Sequence, residues 1–315
     1  IAVDYCVPVS FPFTVTAEGI FNKTLNASTI VDWSIPSVAG FTRFNGVDNR
    51  PIYPSGFRSN PKAFMLSNTS KGYAWSASLS LNTKPFEWME VMAAYTHQVT
   101  KEITSMPGSN AESAFTYVPT IEGPNNIKLH NAYNVTPDRF VASMNLHDKS
   151  GNHYNFIFET WRGGYNYSYM LTNDMNGDGY KYDALYIPTD EEVNTNKFRF
   201  VSSDDKERFM AYVHSSDYLS KHQGEYAEAY SLYSPWVYRV DFGYKHDFKI
   251  TTGKNSNTLQ VSFDMKNVLN FFNNKWGVMK YLNPEIGQDA RILKFDHIDS
   301  DGYAVFSTPS AIKGD

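Results

Sequence analysis

The stretch YAWSASLSL covers residues 73–81. Every second residue in it is apolar, and the residues between are alanine or serine. A period of two is typical of a β-strand whose two faces meet different surroundings. The apolar face of this strand would lie either against a protein core or against the hydrocarbon of a membrane.

The same alternation returns in at least six further segments. Their apolar residues recur within residues 13–21, 89–95, 140–146, 154–158, 236–244 and 259–265. Counted with their flanks, most of these segments reach about nine to eleven residues, the length that a tilted strand needs to cross a bilayer. The apolar positions include no lysine and no glutamate. The pattern predicts an all-β protein built from antiparallel strands.

The connections between these segments alternate in length. Short polar turns are predicted at residues 82–85, 148–152 and 252–258, and long connections near residues 24–71, 100–137, 162–234 and 270–302. Short turns at one end and long loops at the other are typical of a transmembrane antiparallel β-barrel. Aromatic residues near strand ends would form its interfacial girdle, as Phe86, Trp88, Tyr154 and Trp236 do in this interpretation. A soluble β-sandwich shows the same alternation, which alone does not separate the two folds.

The composition and the motifs argue against several classes of function. The 315 residues carry a formal net charge of −5, which argues against a nucleic-acid binder. Cys6 is the only cysteine, and the chain contains no run of 18 apolar residues that would predict a transmembrane helix. The first ten residues have no basic or strongly apolar region of a signal peptide. No GxSxG, HExxH, P-loop or GxGxxG motif occurs, so we predict a protein that is not an enzyme.

Several longer motifs resemble those of a known family. They are DNRPIYP at residues 48–54, LSNTSKGYAWSASLSL at 66–81, YSYMLTNDMNGDGYKYDALYIP at 167–188, SPWVYRVDFGY at 234–244 and VSFDMKNVLNFFN at 261–273. In this order they resemble the C-terminal barrel portion of Bacteroidetes TonB-dependent receptors of the Oar-like kind, relatives of the SusC-like importers. The resemblance spans nearly the whole chain. Its most specific parts are the Asp-rich loop and the NVLN motif at residues 267–270.

The resemblance implies part of a 22-stranded barrel in the outer membrane of a Gram-negative bacterium, in contact with outer-membrane lipids. It implies import of a scarce or large ligand, such as a glycan, a peptide or a metal chelate. Energy would come from TonB-ExbB-ExbD through a plug, and a surface lipoprotein is a further expected partner. The chain shows no plug-like segment, no TonB box and no terminal strand ending in an aromatic residue. We therefore predict that residues 1–315 are a partial outer-membrane barrel domain of a longer receptor.

Alternatives from other function classes stay open at this point. One is an outer-membrane adhesion or scaffold barrel whose loops bind a partner without transport. Another is a secreted carbohydrate-binding β-sandwich, which would be soluble without detergent. A separate eight-stranded barrel is less favoured, because connections of this length are large for so narrow a pore.

The motif DMNGDG is a candidate calcium loop. It places Asp174, Asn176 and Asp178 at alternate positions, from which their side-chain oxygens can converge on a hard cation. Tyr180 would add its backbone carbonyl and Asp183 a carboxylate. A leucine stands where an EF-hand carries its bidentate glutamate, so the loop is not an EF-hand. The competing interpretation is a turn whose side chains cap its own backbone, and no cofactor is then required.

Aromatic residues are frequent in the third long connection. Trp161, Tyr165, Tyr167 and Tyr169 are predicted to contact the ligand. Exposed aromatic rings stack on sugars or hold peptides, and such loops commonly shape an external binding site. In the competing interpretation, each ring packs the loop against its neighbours.

Overall fold

A computed structural model describes residues 1–57, 62–104, 110–282, 289–310 and 312. Strands make up 47% of the structure and helices 12%, so the all-β prediction is confirmed. Within those residues, no helix is long and apolar enough to span a membrane.

The described residues form nineteen β-strands and four α-helices. The strands are β1 (Ala2–Cys6), β2 (Phe13–Lys23), β3 (Ala27–Asp32), β4 (Phe64–Thr69), β5 (Tyr73–Phe86), β6 (Met89–Glu102), β7 (His130–Asn131), β8 (Asp138–His147), β9 (Asn152–Arg162), β10 (Asn166–Tyr167), β11 (Tyr169–Leu171), β12 (Tyr186–Ile187), β13 (Arg199–Phe200), β14 (Glu225–Tyr226), β15 (Leu232–Tyr233), β16 (Val237–Thr252), β17 (Asn255–Met265), β18 (Ala290–Ile298) and β19 (Ala304–Ser307). The helices are α1 (Ala111–Thr116), α2 (Asp190–Asn194), α3 (Ser203–Ser215) and α4 (Val268–Phe272).

A long antiparallel sheet dominates the molecule. Its strand order is β1-β2-β5-β6-β8-β9-β16-β17, and the short strand β7 pairs with the end of β6. The pairs β1–β2, β5–β6, β8–β9 and β16–β17 are hairpins with short connections. All four turn at the same end of the strands, here called the hairpin edge. The long connections leave from the opposite edge, the connection edge, as the sequence predicts.

This large sheet is open. Its outer strands, β1 and β17, each pair with one neighbour within the described part of the chain. No pairing between β1 and β17 closes the sheet, so the strands described do not form a closed barrel. The coarser all-β class therefore holds for this structure.

The register of the strands separates an apolar face from a polar face. Directly opposite residues of paired strands share a face. Trp75 lies opposite Phe21 in β2 and opposite Val99 in β6, and Phe156 in β9 lies opposite Phe242 in β16. The apolar residues of the seven predicted segments thus line one continuous face, and Val3 and Tyr5 extend it to the eighth strand, β1.

The apolar face is not covered by another layer of the described molecule. On it, Leu79 and Phe263 keep 56% and 53% of their surface exposed. The rings of Phe156 and Phe242 lie 5.1 Å apart and are only partly buried. Among the buried apolar residues that the structure describes, Val237 alone belongs to the large sheet. The face is therefore not the inner side of a two-sheet sandwich here.

The predicted turn at residues 82–85 is wrong. These residues belong to β5, and the hairpin turns at Glu87 and Trp88 instead. Pro85 cannot donate a ladder hydrogen bond. It is accommodated because the β5–β6 register shifts between Thr83 and Phe86.

The other two predicted turns differ in how closely they match. The turn at residues 148–152 is confirmed: Asp148 Oδ1 accepts from the backbone N–H groups of Ser150 and Asn152 at 2.8 and 3.0 Å. The prediction at residues 252–258 is too long, because β17 already begins at residue 255. The hairpin turns at Gly253 and Lys254, where Gly253 has a φ of 62°. Two-residue hairpins favour glycine with a positive φ.

The long connections fold into a compact unit, here called the cap, at the connection edge. The cap comprises the described residues within 24–72, 103–137, 163–236 and 266–312. Residues 58–61, 105–109 and 283–288, which fall in predicted long connections, lie outside the described part. The main core of the cap includes Phe44, Leu171, Leu185, Ile187, Phe209, Leu219, Ile292 and Phe306. The connections are thus long, as predicted, but they are not irregular, since they carry the buried core.

Short strands and one helix build the cap core. Strands β11, β18, β19 and β13 form a four-stranded sheet, and α3 packs against β13 and β19. Helix α3 follows Ser202, whose hydroxyl accepts from the Asp205 N–H as an N-cap. The helix buries Phe209, Met210 and Val213, which recur at the spacing of one helix face.

Polar contacts join the cap to the sheet. Lys101 near the end of β6 pairs through its backbone with Asn131, and its ammonium group forms an ion pair with Glu228. Gln98 Nε2 donates to the Thr136 carbonyl at 2.8 Å. These contacts fix the cap over the connection edge.

Candidate functional site

The Asp-rich loop lies in the cap between β11 and β12. Asp174 accepts two backbone hydrogen bonds, from Gly177 N–H at 2.7 Å and from Gly179 N–H at 2.9 Å. Asn176 Oδ1 accepts from the Asp178 N–H at 3.0 Å. The loop thus uses its own side chains to cap its backbone, as the turn interpretation predicts.

A buried arginine joins this loop to the DNRPIYP motif. The Arg50 Nε and Nη2 atoms each donate to the Asp48 carboxylate at 2.9 Å. Arg50 Nη1 donates to Asp183 Oδ1 at 2.9 Å, and Nη2 also donates to the Ala184 carbonyl at 2.8 Å. The second Asp183 oxygen accepts from the Met175 N–H at 2.8 Å. Two motifs that lie far apart in the sequence therefore share one buried ion-pair network.

The carboxylates of the loop repel one another. Burial, followed by repulsion from Asp183 and Asp174, raises the pKa of Asp178 to about 8. Burial likewise raises the pKa of Asp183, and the Arg50 charge opposes that rise, so this pKa reaches about 6. The fold therefore favours the protonated form of the Asp178 carboxyl more than water does. A cation in place of that proton would relieve the same repulsion.

Calcium binding at the loop stays a prediction. Carboxylate and carbonyl oxygens are the donors that calcium prefers, and Asp174, Asn176, Asp178, Tyr180 and Asp183 lie on one continuous segment. Within the part of the chain that the structure describes, no group of three or more His, Cys, Asp or Glu side chains is arranged to hold a metal ion. Tyr180 is predicted to bind through its backbone carbonyl, and its side chain packs in a small apolar cluster, where the Lys62 ammonium lies 4.3 Å from its ring centroid.

The four aromatic residues predicted to contact a ligand are not brought together. Tyr169 is buried in the cap core and stacks on another tyrosine ring 5.8 Å away, so it packs the cap. Trp161 lies in β9 and not in a loop, and the guanidinium carbon of Arg239 is 5.4 Å from its ring centroid. Tyr167 is half-buried in β10, whereas Tyr165 is exposed. Ligand contact by these residues stays a prediction.

The polar face of the large sheet carries an ion-pair network that sequence reasoning did not identify. Glu159 Oε1 accepts from Arg139 Nε and Nη2 at 2.9 and 2.6 Å, and Oε2 accepts from Arg239 Nη2 at 2.5 Å. The three residues come from the adjacent strands β8, β9 and β16. Alternation places each residue on the polar face, but the partners are set by the strand register.

Two concavities on the polar face lie toward the hairpin edge. Their volumes are about 380 and 450 Å³. Polar residues that line them include Thr14, Asn82, Glu90, Ser143, Asn145, Asn155, Lys245, Gln260 and Asp264. Such a lining suits water or a polar surface, because burying these groups in hydrocarbon without partners is costly.

Comparison with family models, with curated proteins and with solved structures finds no match for this chain. The resemblance of its motifs to TonB-dependent receptors therefore stays an expectation.

Proposed function

We propose that the chain forms part of the wall of an outer-membrane β-barrel receptor. Its apolar face would contact lipid, and its polar face would line a hydrated interior. The observation that carries this proposal is the continuous apolar face across eight strands, which no other layer of the described molecule covers. Exposing apolar surface to water costs about 25 cal/mol per Å², and hydrocarbon surroundings remove that cost.

The position of the buried core supports the same proposal. The cap has its own core, whereas the large sheet contributes only Val237 to the buried apolar residues described. A unit outside the membrane needs a core of its own, while a wall with lipid on one side does not. We therefore place the cap at the extracellular side and the four short hairpins at the periplasmic side.

Strand length and pairing add two requirements that a membrane wall must meet. Strands β5 and β6 have 14 residues each and β16 has 16, which exceeds the length needed to cross the hydrocarbon layer. Lipid offers no partner for the free N–H and C=O groups along β1 and β17. The proposed wall is therefore completed by further strands that pair with these two edges.

The import role is the second part of the proposal. The cap would capture a scarce or large ligand outside the cell, and TonB-ExbB-ExbD would drive its entry through a plug. The motifs that support this part are the Asp-rich loop and residues 267–270, which resemble those of TonB-dependent receptors. The proposed process involves no covalent chemistry.

An adhesion or scaffold barrel is the alternative that shares the same wall. Such a protein would bind its partner through the cap whether or not the inner membrane is energised. Ligand uptake that stops when the proton gradient is collapsed would distinguish the receptor from the adhesin. A secreted sandwich is less favoured, because its apolar face would be buried under a second sheet.

The placement of the wall is tested by single-cysteine labelling. Cys6→Ser removes the only cysteine, and Leu79→Cys or Ser78→Cys then adds one on the apolar or the polar face. A polarity-sensitive dye is attached, and the chain is reconstituted as part of the complete barrel in vesicles with brominated acyl chains. We expect bromine to quench the dye at residue 79 and not at residue 78. Equal, water-like emission at both positions would refute the membrane wall.

A further inference from the structure

Two histidines stand side by side on the polar face, next to the turn that joins β8 and β9. His147 and His153 are directly opposite each other in the strand register. The His147 N–H points away from β9 and donates to the Trp88 carbonyl at 3.0 Å. The two residues therefore form a non-hydrogen-bonded pair, the kind of pair in which opposite side chains lie closest together.

The two imidazole rings can reach a common ligand. Their centroids lie 6.1 Å apart, with an angle of 29° between the ring planes. His147 is exposed and the His153 side chain keeps 44% of its surface exposed, so neither ring is enclosed by packing. A metal ion binds an imidazole nitrogen at about 2.0–2.1 Å. Rotation of the two side chains can bring one nitrogen of each ring to that distance from a cation between them.

A carboxylate fixes the tautomer of one ring. Asp247 Oδ2 lies 3.2 Å from His153 Nε2, and Asp247 Oδ1 accepts from Gln260 Nε2 at 2.8 Å. An ionised carboxylate only accepts hydrogen bonds, so Nε2 carries the proton and Nδ1 carries the lone pair that a metal ion needs. Histidines that bind metal ions usually donate from their second nitrogen to such a partner. His153 therefore has the partner that a metal ligand requires.

The surroundings of the pair suit a cation that prefers nitrogen ligands. Both histidines line the concavity of about 450 Å³, together with Glu90, Lys245 and Asp264. The positive charge of Lys245 is offset by the carboxylates of Asp264 and Asp247. Imidazole is a ligand for zinc, copper and nickel, whereas calcium and magnesium prefer oxygen ligands. The pair therefore favours a transition-metal ion.

We propose that His147 and His153 together bind one divalent transition-metal ion, for which Zn²⁺ is the reference, on the polar face at the hairpin edge. Among the residues that the structure describes, no set of three or more His, Cys, Asp or Glu side chains forms a metal site. The protein therefore supplies two ligands, water completes the coordination, and the ion stays exchangeable. The bound ion links β8 to β9 and, through Asp247, to β16. This inference goes beyond the proposed receptor function and rests on the geometry of these three strands.

Titration of the full-length protein with Zn²⁺ in detergent, followed by isothermal calorimetry, tests the pair. We expect His147→Gln and His153→Gln each to remove one equivalent of bound Zn²⁺. Asp247→Asn should keep that equivalent and weaken its affinity about tenfold, because it removes the charge that orients His153. His214→Gln is the matched control, since His214 also lies beside a carboxylate, 3.1 Å from Asp190, but belongs to α3 in the cap. It should leave the number of Zn²⁺ equivalents unchanged.

A spectroscopic measurement counts the imidazole ligands. Cu²⁺ added at one equivalent should show coupling to two imidazole nitrogens in the electron paramagnetic resonance spectrum of the wild-type protein. The double substitution of Leu146→His with His147→Leu keeps the number of histidines but turns one ring to the apolar face. We expect this variant to lose the two-nitrogen signal, and circular dichroism checks that each variant keeps its strands.

The outcomes distinguish a histidine pair from adventitious binding. Loss of the Zn²⁺ equivalent in both glutamine variants of the pair, with His214→Gln unchanged, supports the site. Zn²⁺ binding that both variants retain would overturn it, as would a two-nitrogen Cu²⁺ signal in the double variant. Loss in His153→Gln alone would also overturn the pair, because His147 would then contribute no ligand.

Discussion

Arg50 offsets the charge of two buried carboxylates, and its guanidinium group has no exposed surface. Asp48 and Asp183 come from two segments that are also joined by a backbone hydrogen bond, from the Tyr53 N–H to the Asn176 carbonyl at 2.8 Å. The hydrogen bond from the Tyr226 hydroxyl to Asp48 at 2.7 Å extends the network to β14. Arg50 thus connects two parts of the cap directly, and Asp48 connects them to a third.

Loss of Arg50 should destabilise the cap strongly. Arg50→Met leaves two buried carboxylates without their cation, and breaking a buried pair in this way costs about 3–5 kcal/mol. Arg43→Met is the matched control, because the Arg43–Glu122 pair is partly exposed and should contribute about 0–1 kcal/mol. Hydrogen exchange of the Leu185 and Ile187 amides measures the free energy of cap opening. Equal effects of the two substitutions would contradict the importance of burial.

Asp178 should make the stability of the cap depend on pH. Its pKa is about 8 in the folded protein against an ordinary value of 3.8, so the folded state binds the proton more tightly than the unfolded state. The stabilising contribution is therefore complete below about pH 3.8, falls as the pH rises, and is lost above about pH 8. Asp183 adds to this fall up to about pH 6.

Asp178→Asn isolates this contribution. The variant keeps an oxygen that accepts from the Tyr180 N–H, and it should flatten the loss of cap stability between about pH 6 and pH 8. Denaturant titrations of the cap at several pH values provide the measurement. The exposed Asp204→Asn substitution is the control and should retain the wild-type slope. An Asp178→Asn protein with that same slope would refute the assignment.

The elements differ in how far the sequence predicts them. The strands of the large sheet can be predicted because a period of two is a local property of the chain. The cap core cannot be predicted in this way, because Leu171, Leu185 and Phe209 lie in segments whose burial depends on partners far along the chain. The Asp-rich loop is likewise recognisable from its spacing. Its partner Arg50 is not, since it lies 133 residues from Asp183 and leaves no local pattern.

Calcium should compete with the proton at the Asp-rich loop. We expect Ca²⁺ at about pH 8 to raise the unfolding midpoint of the cap and EDTA to reverse the change, because ligand carboxylates must be ionised. The effect should shrink at about pH 6, where protons occupy more of the loop. Mg²⁺ is the control, since it needs a smaller and nearly octahedral site. An unchanged midpoint at every pH would leave only the turn interpretation.

The whole molecule consists of two units, the cap and the large sheet. The cap excludes water from a core of its own, and the sheet presents one apolar and one polar face without a core between layers. Sequence alternation predicts both faces but does not decide what lies beyond them. The exposed apolar face in the structure is what favours lipid over a second protein layer.

A lysine substitution on each face should distinguish a face that contacts lipid from a face that contacts water. Leu79→Lys places a charge on the apolar face, at a cost of about 2–4 kcal/mol near the bilayer midplane. Ser78→Lys places the same charge on the polar face, opposite Glu18 in β2, and should be tolerated. The fraction of each chain that floats with membranes gives the comparison. Equal recovery of the two variants would argue against lipid contact.

The free edge of β17 has a consequence for any chain handled in isolation. Along its eleven residues, half of the backbone N–H and C=O groups point away from β16 and have no neighbouring strand in the described molecule. Such an edge acts as a template on which another strand can add. Purified chains lacking companion strands should therefore polymerise into ribbons, and a short peptide that covers this edge should keep them apart.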